Sequence, residues 1–166
     1  MRIEFKKAAD GRHVVACERA NGTQTWSRVQ AAIVSHDFVH WALETTLGLR
    51  RGFWGLVASG WNLTAFVEPG ATKLLPEEAA WTEFAVAAIW RDSWGQAPLD
   101  ADGVIEELAL RAEMHGWKTQ RSISEADLAR IRTCIAELNA RWLAVEPGGS
   151  LALVFDEQDP TRSSFA

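Results

Sequence analysis

The chain has 166 residues, of which 48% are hydrophobic and 23% charged, an ordinary globular balance that excludes a disordered chain. The formal net charge is −5, so the basic field that carries phosphate affinity is missing and no nucleic-acid partner is expected. Nine Trp and seven Phe stand beside no Tyr, which excludes tyrosine-based acid–base chemistry and supplies more aromatic surface than a small core needs.

Residues 2–7 alternate apolar and polar at Ile3 and Phe5, and Asp10-Gly11 follows as a hairpin turn signal. Residues 12–19 read as the return strand, Asn21-Gly22 as a second turn, and residues 23–29 as a third strand. Ser35 is placed to cap a helix over 36–47 that stops at Gly48. A short helix is expected over 51–59, with Gly52, Gly55 and Gly60 serving close packing and a stop. Pro76, Glu77 and Glu78 open a helix over 77–92, whose Trp81, Phe84, Trp90 and Trp94 form an aromatic stripe. A helix over 103–115 ends at His115-Gly116.

The last helix, 124–145, is the most periodic. Its apolar residues fall at 128, 131, 135, 138, 142 and 145, one stripe along a helix, and Ser122 with Glu125 has the spacing of a capping box. Pro147-Gly148-Gly149 stops it, and residues 151–156 (LALVFD) read as a final strand. Strands at both ends with helices between them predict an α+β domain over 1–157. Its antiparallel sheet, from an N-terminal meander plus the C-terminal strand, is covered by about five helices. Residues 158–166 read as a flexible polar tail.

Cys17 and Cys134 sit in no CxxC pair, which excludes a zinc ribbon or redox motif. The N-terminus has charges where a signal peptide needs an apolar run, and the longest apolar stretch, Phe53 to Val67, is interrupted by Ser59, Gly60 and Asn62. The expectation is a cytoplasmic protein with no membrane partner. The aromatic excess suggests a homodimer.

Chemistry concentrates at residues 35–44, SHDFVHWALE. On a helix, His36, His40 and Glu44 fall at about 0°, 40° and 80°, on one face. Two imidazoles four residues apart can share one divalent metal, for which zinc is the first candidate. The segment His36-Asp37-x-x-His40 resembles the zincin metalloprotease motif HExxH, in which the two His bind zinc and the intervening Glu is the base. The resemblance spans five residues and implies metal ligation by His36 and His40, with Asp37 as the base, one methylene shorter than the family's Glu. Zincins take a third ligand from farther along the chain, which here means Glu77, Glu78 or Glu83, or else Glu44 on the same helix. The His36-Asp37 pair also resembles the dyad of HD phosphohydrolases, but the upstream His that family needs would be His13, on a strand.

Two functions are therefore expected from the residues. One is a divalent-metal hydrolase with His36, His40 and either Glu44 or Glu83 as ligands and Asp37 as base. The other is a non-catalytic module holding a small molecule or partner in a Trp-rich apolar cleft, with the His and Glu side chains orienting groups by hydrogen bonds.

Overall fold

The computed structural model describes residues 1–91, 95–118 and 121–166, Thr72 through its backbone alone. Three strands open the chain: β1 (Arg2–Lys6), β2 (Arg12–Glu18) and β3 (Gln24–Gln30). Gly11 and Gly22, in the two turns between them, have φ of 75° and 81°, a left-handed backbone that glycine adopts at no steric cost. After the helices come β4 (Ser150–Val154) and β5 (Ser164–Phe165). All neighbours are antiparallel in the order β3-β2-β1-β4-β5. The C-terminal strand thus joins the N-terminal meander as its sequence requires, with Phe5 opposite Leu151 and Ile3 opposite Leu153.

The sheet has two unlike faces, as period-two alternation dictates. Ile3, Phe5, Val15, Cys17 and Leu153 point inward and are buried, while Arg2, Lys6 and Glu18 of the same strands are exposed. The inward face packs on α1 (Ala31–Leu47), α2 (Phe53–Ala58) and α5 (Glu125–Ala144) through Phe38, Trp41, Trp54, Leu138 and Trp142. Phe5 meets Phe38 edge-on at 4.9 Å between ring centroids. A second apolar cluster lies beyond α1, where Val39, Ala42 and Leu43 pack against Trp81, Ala85 and Ile89 of α3 (Glu77–Ile89) and Val104 and Leu108 of α4 (Ala101–His115). Helix α1 therefore runs between two cores. Its residues from Phe38 to Glu44 are all buried, and that includes two ionisable groups.

Several helix boundaries differ from those expected. Helix α1 begins at Ala31 directly after β3, so Ser35 lies inside it and donates to Asn139 Oδ1 of α5 at 3.0 Å instead of capping. The early start brings Val34 into the core under the sheet, where it is fully buried. The capping box of α5 is Ser124 with Asp127, not Ser122 with Glu125. The shift of two residues puts Ile123 just before the cap and Leu128 in the fourth helical position, both fully or almost fully buried in the same cluster. Such a pair staples the entering chain to the helix. Glu125 instead accepts from the Ala101 N–H at 2.7 Å and ties α5 to the start of α4. Helix α3 is capped at Trp90, while Trp94 and the expected end at 92 fall outside the described residues.

The C-terminal residues 158–166 form no loose tail. Asp156 Oδ1 accepts from the N–H groups of Gln158 and Asp159, a 3₁₀ turn follows over Pro160–Arg162 with Pro160 buried, and β5 pairs with β4. The Arg141 guanidinium lies 4.2 Å from the Phe165 ring centroid. Polarity alone hid a segment whose anchors are one proline, one aromatic ring and local Asx-type hydrogen bonds. Among the described residues no helix is long and apolar enough to cross a membrane.

Candidate metal centre

Helix α1 carries His36, Asp37, His40 and Glu44, and α3 brings Glu83 against them. Each ring nitrogen of His40 faces a carboxylate on a different side. Nδ1 is 3.5 Å from Glu44 Oε1 and Nε2 is 3.6 Å from Glu83 Oε1. His40 is fully buried, and neither nitrogen makes a hydrogen bond of normal geometry. His36 stands one turn earlier, its ring 4.8 Å from that of His40, and its Nδ1 is 3.6 Å from Asp37 Oδ1. Trp90 closes on the far side of His36 at 5.2 Å.

One ligand atom each from His36, His40 and Glu83 lies within 4.8 Å of the others. Two donors about 2.1 Å from one ion can be at most about 4.2 Å apart, so side-chain adjustments of under about 1 Å would bring all three onto a metal. Glu44 does not join this group. It is completely buried, and its two carboxylate oxygens accept the N–H groups of Trp54 and Gly55, at 3.2 Å each, from the first turn of α2. Glu83 is the third donor because it meets the nitrogen of His40 that is turned toward α3. Glu44 meets the opposite one. Among the expected ligands, then, His36, His40 and Glu83 converge, and Glu44 backs His40 from behind.

The fit around Glu44 explains two glycines. A Cβ on Gly52 would stand 2.5 Å from Glu44 Cδ, and one on Gly55 would stand 2.1 Å from the carbonyl oxygen of Arg50. Both positions need the absence of a side chain, for space and not for φ. Helix packing was the expected reason for these glycines; the particular neighbour at Gly52 is the buried carboxylate. Trp54 also donates its indole N–H to the Asp37 carbonyl oxygen at 3.2 Å, which fixes α2 across α1.

Electrostatics follow from burial and proximity. Burial alone would depress the His40 pKa, but the carboxylates of Glu44 and Glu83 outweigh it and raise it to about 10. Burial pushes Asp37 above the usual carboxylate range, against the opposing pull of His36 and His40. Burial likewise raises Glu44, against the opposing pull of His40 and of the Trp54 and Gly55 N–H groups, which favour the ionised form. Burial would raise Glu83 too; there His40 outweighs it and the net direction is downward. A cation is thus favoured between Glu83 and His40, and a metal ion could take the place of the proton.

His36, Asp37, His40 and Glu83 lie on the wall of a cavity of about 890 Å³. Its remaining wall is mostly apolar and includes Val29, Ile33, Phe53, Phe66, Phe84 and Trp117. The tryptophans are placed otherwise than a Trp-rich cleft requires. Trp41, Trp54 and Trp142 sit under the sheet and Trp81 between α1 and α3, leaving Trp117 as the one tryptophan on the cavity wall among the described residues. His115, the last residue of α4, also reaches the cavity and stacks on Trp117 at 5.2 Å.

The chain matches no family model, and no curated protein or solved structure is significantly similar to it.

The burial of one arginine was missed in the sequence. Arg19 is 6% exposed and has carbonyl and hydroxyl partners instead of a carboxylate. Its Nε and Nη2 donate to the Val57 and Trp61 carbonyl oxygens at 2.6 Å each, and Nη1 to Thr23 Oγ1 at 3.1 Å. It binds one carbonyl in the last turn of α2 and one just beyond the helix, and so holds the helix whose other end binds Glu44. At the end of β2 it reads as one more exposed charge, and only the residue's place beneath α2 distinguishes it.

Proposed function

We propose that this protein is a divalent-metal-dependent hydrolase, with His36, His40 and Glu83 as the protein ligands and zinc as the first candidate ion. The observation that carries the reading is His40 itself. It is a fully buried imidazole with no hydrogen bond of normal geometry, set between a carboxylate that could share a metal and one that could fix its tautomer. A metal-ligating His commonly gives its other nitrogen to a carboxylate, which orients the ring and strengthens the donor. Glu44 stands in that relation to His40, and Asp37 Oδ1 in the same relation to His36 Nδ1.

Two His and one Glu leave a tetrahedral ion one further position, as catalytic zinc sites do. All three ligands belong to the cavity wall, so that position would be reached from the cavity. A water bound there would ionise near pH ~7 instead of ~16. Asp37 is the candidate base, because it lies on the same wall and occupies the place that the base has in the zincin motif. Its contact with His36 gives it an orienting role as well.

The test is calorimetric titration of chelator-treated protein with zinc and manganese, beside the His36→Ala/His40→Ala variant. The expected result is about one equivalent bound by the parent, with protons released, and none by the variant. Failure of the parent to bind, with melting unchanged by either ion, would remove the reading. The largely apolar wall favours a second reading, a non-catalytic module for a small molecule, and that reading needs no metal.

A further inference from the structure

The cavity wall constrains what could reach the metal position. Asp37, Glu77 and Glu83 are carboxylates, Lys73 is the one ammonium, and no arginine is among the described lining residues. Sites for phosphoryl groups rely on arginine forks, lysines or backbone N–H cradles to balance two negative charges. Here a single divalent ion would be largely offset by Glu83 and Asp37 before a substrate arrived. A phosphate dianion would then find no net positive charge to balance it, whereas an uncharged carbonyl would meet only the polarising ion. The cavity, at about 890 Å³, is near the upper end of the ~300–1,000 Å³ range of small-molecule sites, and much of its wall is aromatic or branched aliphatic.

We propose that the substrate is an uncharged carboxylic ester or amide whose apolar part fills the chamber walled by Ile33, Phe53, Phe66, Phe84 and Trp117, and that phosphate esters are not substrates. This rests on the metal reading above and adds the substrate class to it. In the reaction, water gives one proton to Asp37 and its oxygen forms a bond to the carbonyl carbon, while the C=O π pair moves to the carbonyl oxygen. The returning pair expels the alcohol or amine, the bond from carbon to that leaving group breaks, and the proton held by Asp37 leaves with it. One water is consumed, and a carboxylic acid and an alcohol or amine are formed, with no change of oxidation state.

Ala80 and Ile33 line the chamber and are not among the ligands. Ala80→Trp and Ile33→Trp, the second at an exposed position, add an indole to the chamber wall without replacing a metal donor. The experiment compares zinc-loaded parent, both filled variants and His36→Ala/His40→Ala on p-nitrophenyl acetate, p-nitrophenyl hexanoate and p-nitrophenyl phosphate. Zinc stoichiometry is measured on each protein.

The expected result is turnover of the esters by the parent, with kcat/KM about tenfold or more higher for hexanoate than for acetate. The phosphate should give no turnover above the double variant. Both filled variants should retain zinc and lose the preference for hexanoate. Phosphate turnover equal to or above ester turnover would overturn the substrate class and leave the metal reading standing. A hexanoate preference that survives in whichever filled variant folds would overturn the chamber assignment. A parent that binds no zinc would overturn the metal reading itself, which the stoichiometry reports separately.

Discussion

Replacing Gly52 with alanine introduces one methyl group at the point where the buried carboxylate comes closest to α2. The new Cβ would lie 2.5 Å from Glu44 Cδ, 2.7 Å from Oε2 and 2.8 Å from Cγ. Glu44 has little room to retreat, since it is completely buried and both oxygens are held by the N–H groups of Trp54 and Gly55. Either the core opens around the methyl, at about 1–3 kcal/mol, or the carboxylate gives up hydrogen bonds worth about 1.5–3 kcal/mol each. The expected loss is about 2–4 kcal/mol, which for a chain of this size lowers Tm by roughly 5–15 °C. The assay is urea and thermal unfolding followed by tryptophan fluorescence, carried out as a cycle with Glu44→Ala. Once the side chain of Glu44 is truncated the clash is gone, and Gly52→Ala should cost less than about 1 kcal/mol, the residue of an N-cap preference. An equal cost in both backgrounds would refute the claim that Gly52 is small in order to admit Glu44.

Glu44→Gln keeps the shape of the side chain and removes its charge, and should weaken zinc binding about 10–100-fold without changing the stoichiometry; loss of the equivalent altogether would make Glu44 a ligand. Arg19→Ala removes the guanidinium from the Val57 and Trp61 carbonyls and should destabilise by roughly 3 kcal/mol in urea unfolding, and Arg19→Lys should recover less than half of that, because an ammonium cannot reproduce the planar fork. Burial raises the Cys17 thiol to about 12 and the Cys134 thiol to about 11. In native protein near pH ~8 both thiols should therefore resist a thiolate-selective disulfide reagent, and labelling should accelerate toward pH ~11, whereas unfolded chain should label at both positions; prompt native labelling would contradict this.

The sheet was legible because Asp10-Gly11 and Asn21-Gly22 each demand a left-handed glycine between short alternating segments, and because Leu151 to Phe155 could be satisfied only inside a sheet. The site was legible in part. Helical spacing alone puts His36 and His40 on one face and marks Asp37 between them, and it brings Glu83 into consideration through the next long helix. Spacing cannot say which nitrogen of His40 a carboxylate will meet, so Glu44 and Glu83 were equivalent candidates until α2 was seen to bind one of them. The role of Gly52 and the burial of Arg19 depend on contacts between α2 and distant residues, which leave no periodic trace. The start of α1 and the capping residues of α5 escaped for a related reason. Local capping chemistry offered Ser35 and Ser122, and tertiary burial of Val34 and Ile123 overrode both.

X-ray absorption at the zinc edge of protein loaded with one equivalent reports directly on the proposed centre. Two imidazole nitrogens at about 2.0–2.1 Å should appear with two oxygen donors near about 2.0–2.2 Å, one from Glu83 and one exchangeable. His36→Ala and His40→Ala should each remove one imidazole from the spectrum. A spectrum without imidazole scattering, or one unchanged by either substitution, would contradict a metal held by His36, His40 and Glu83.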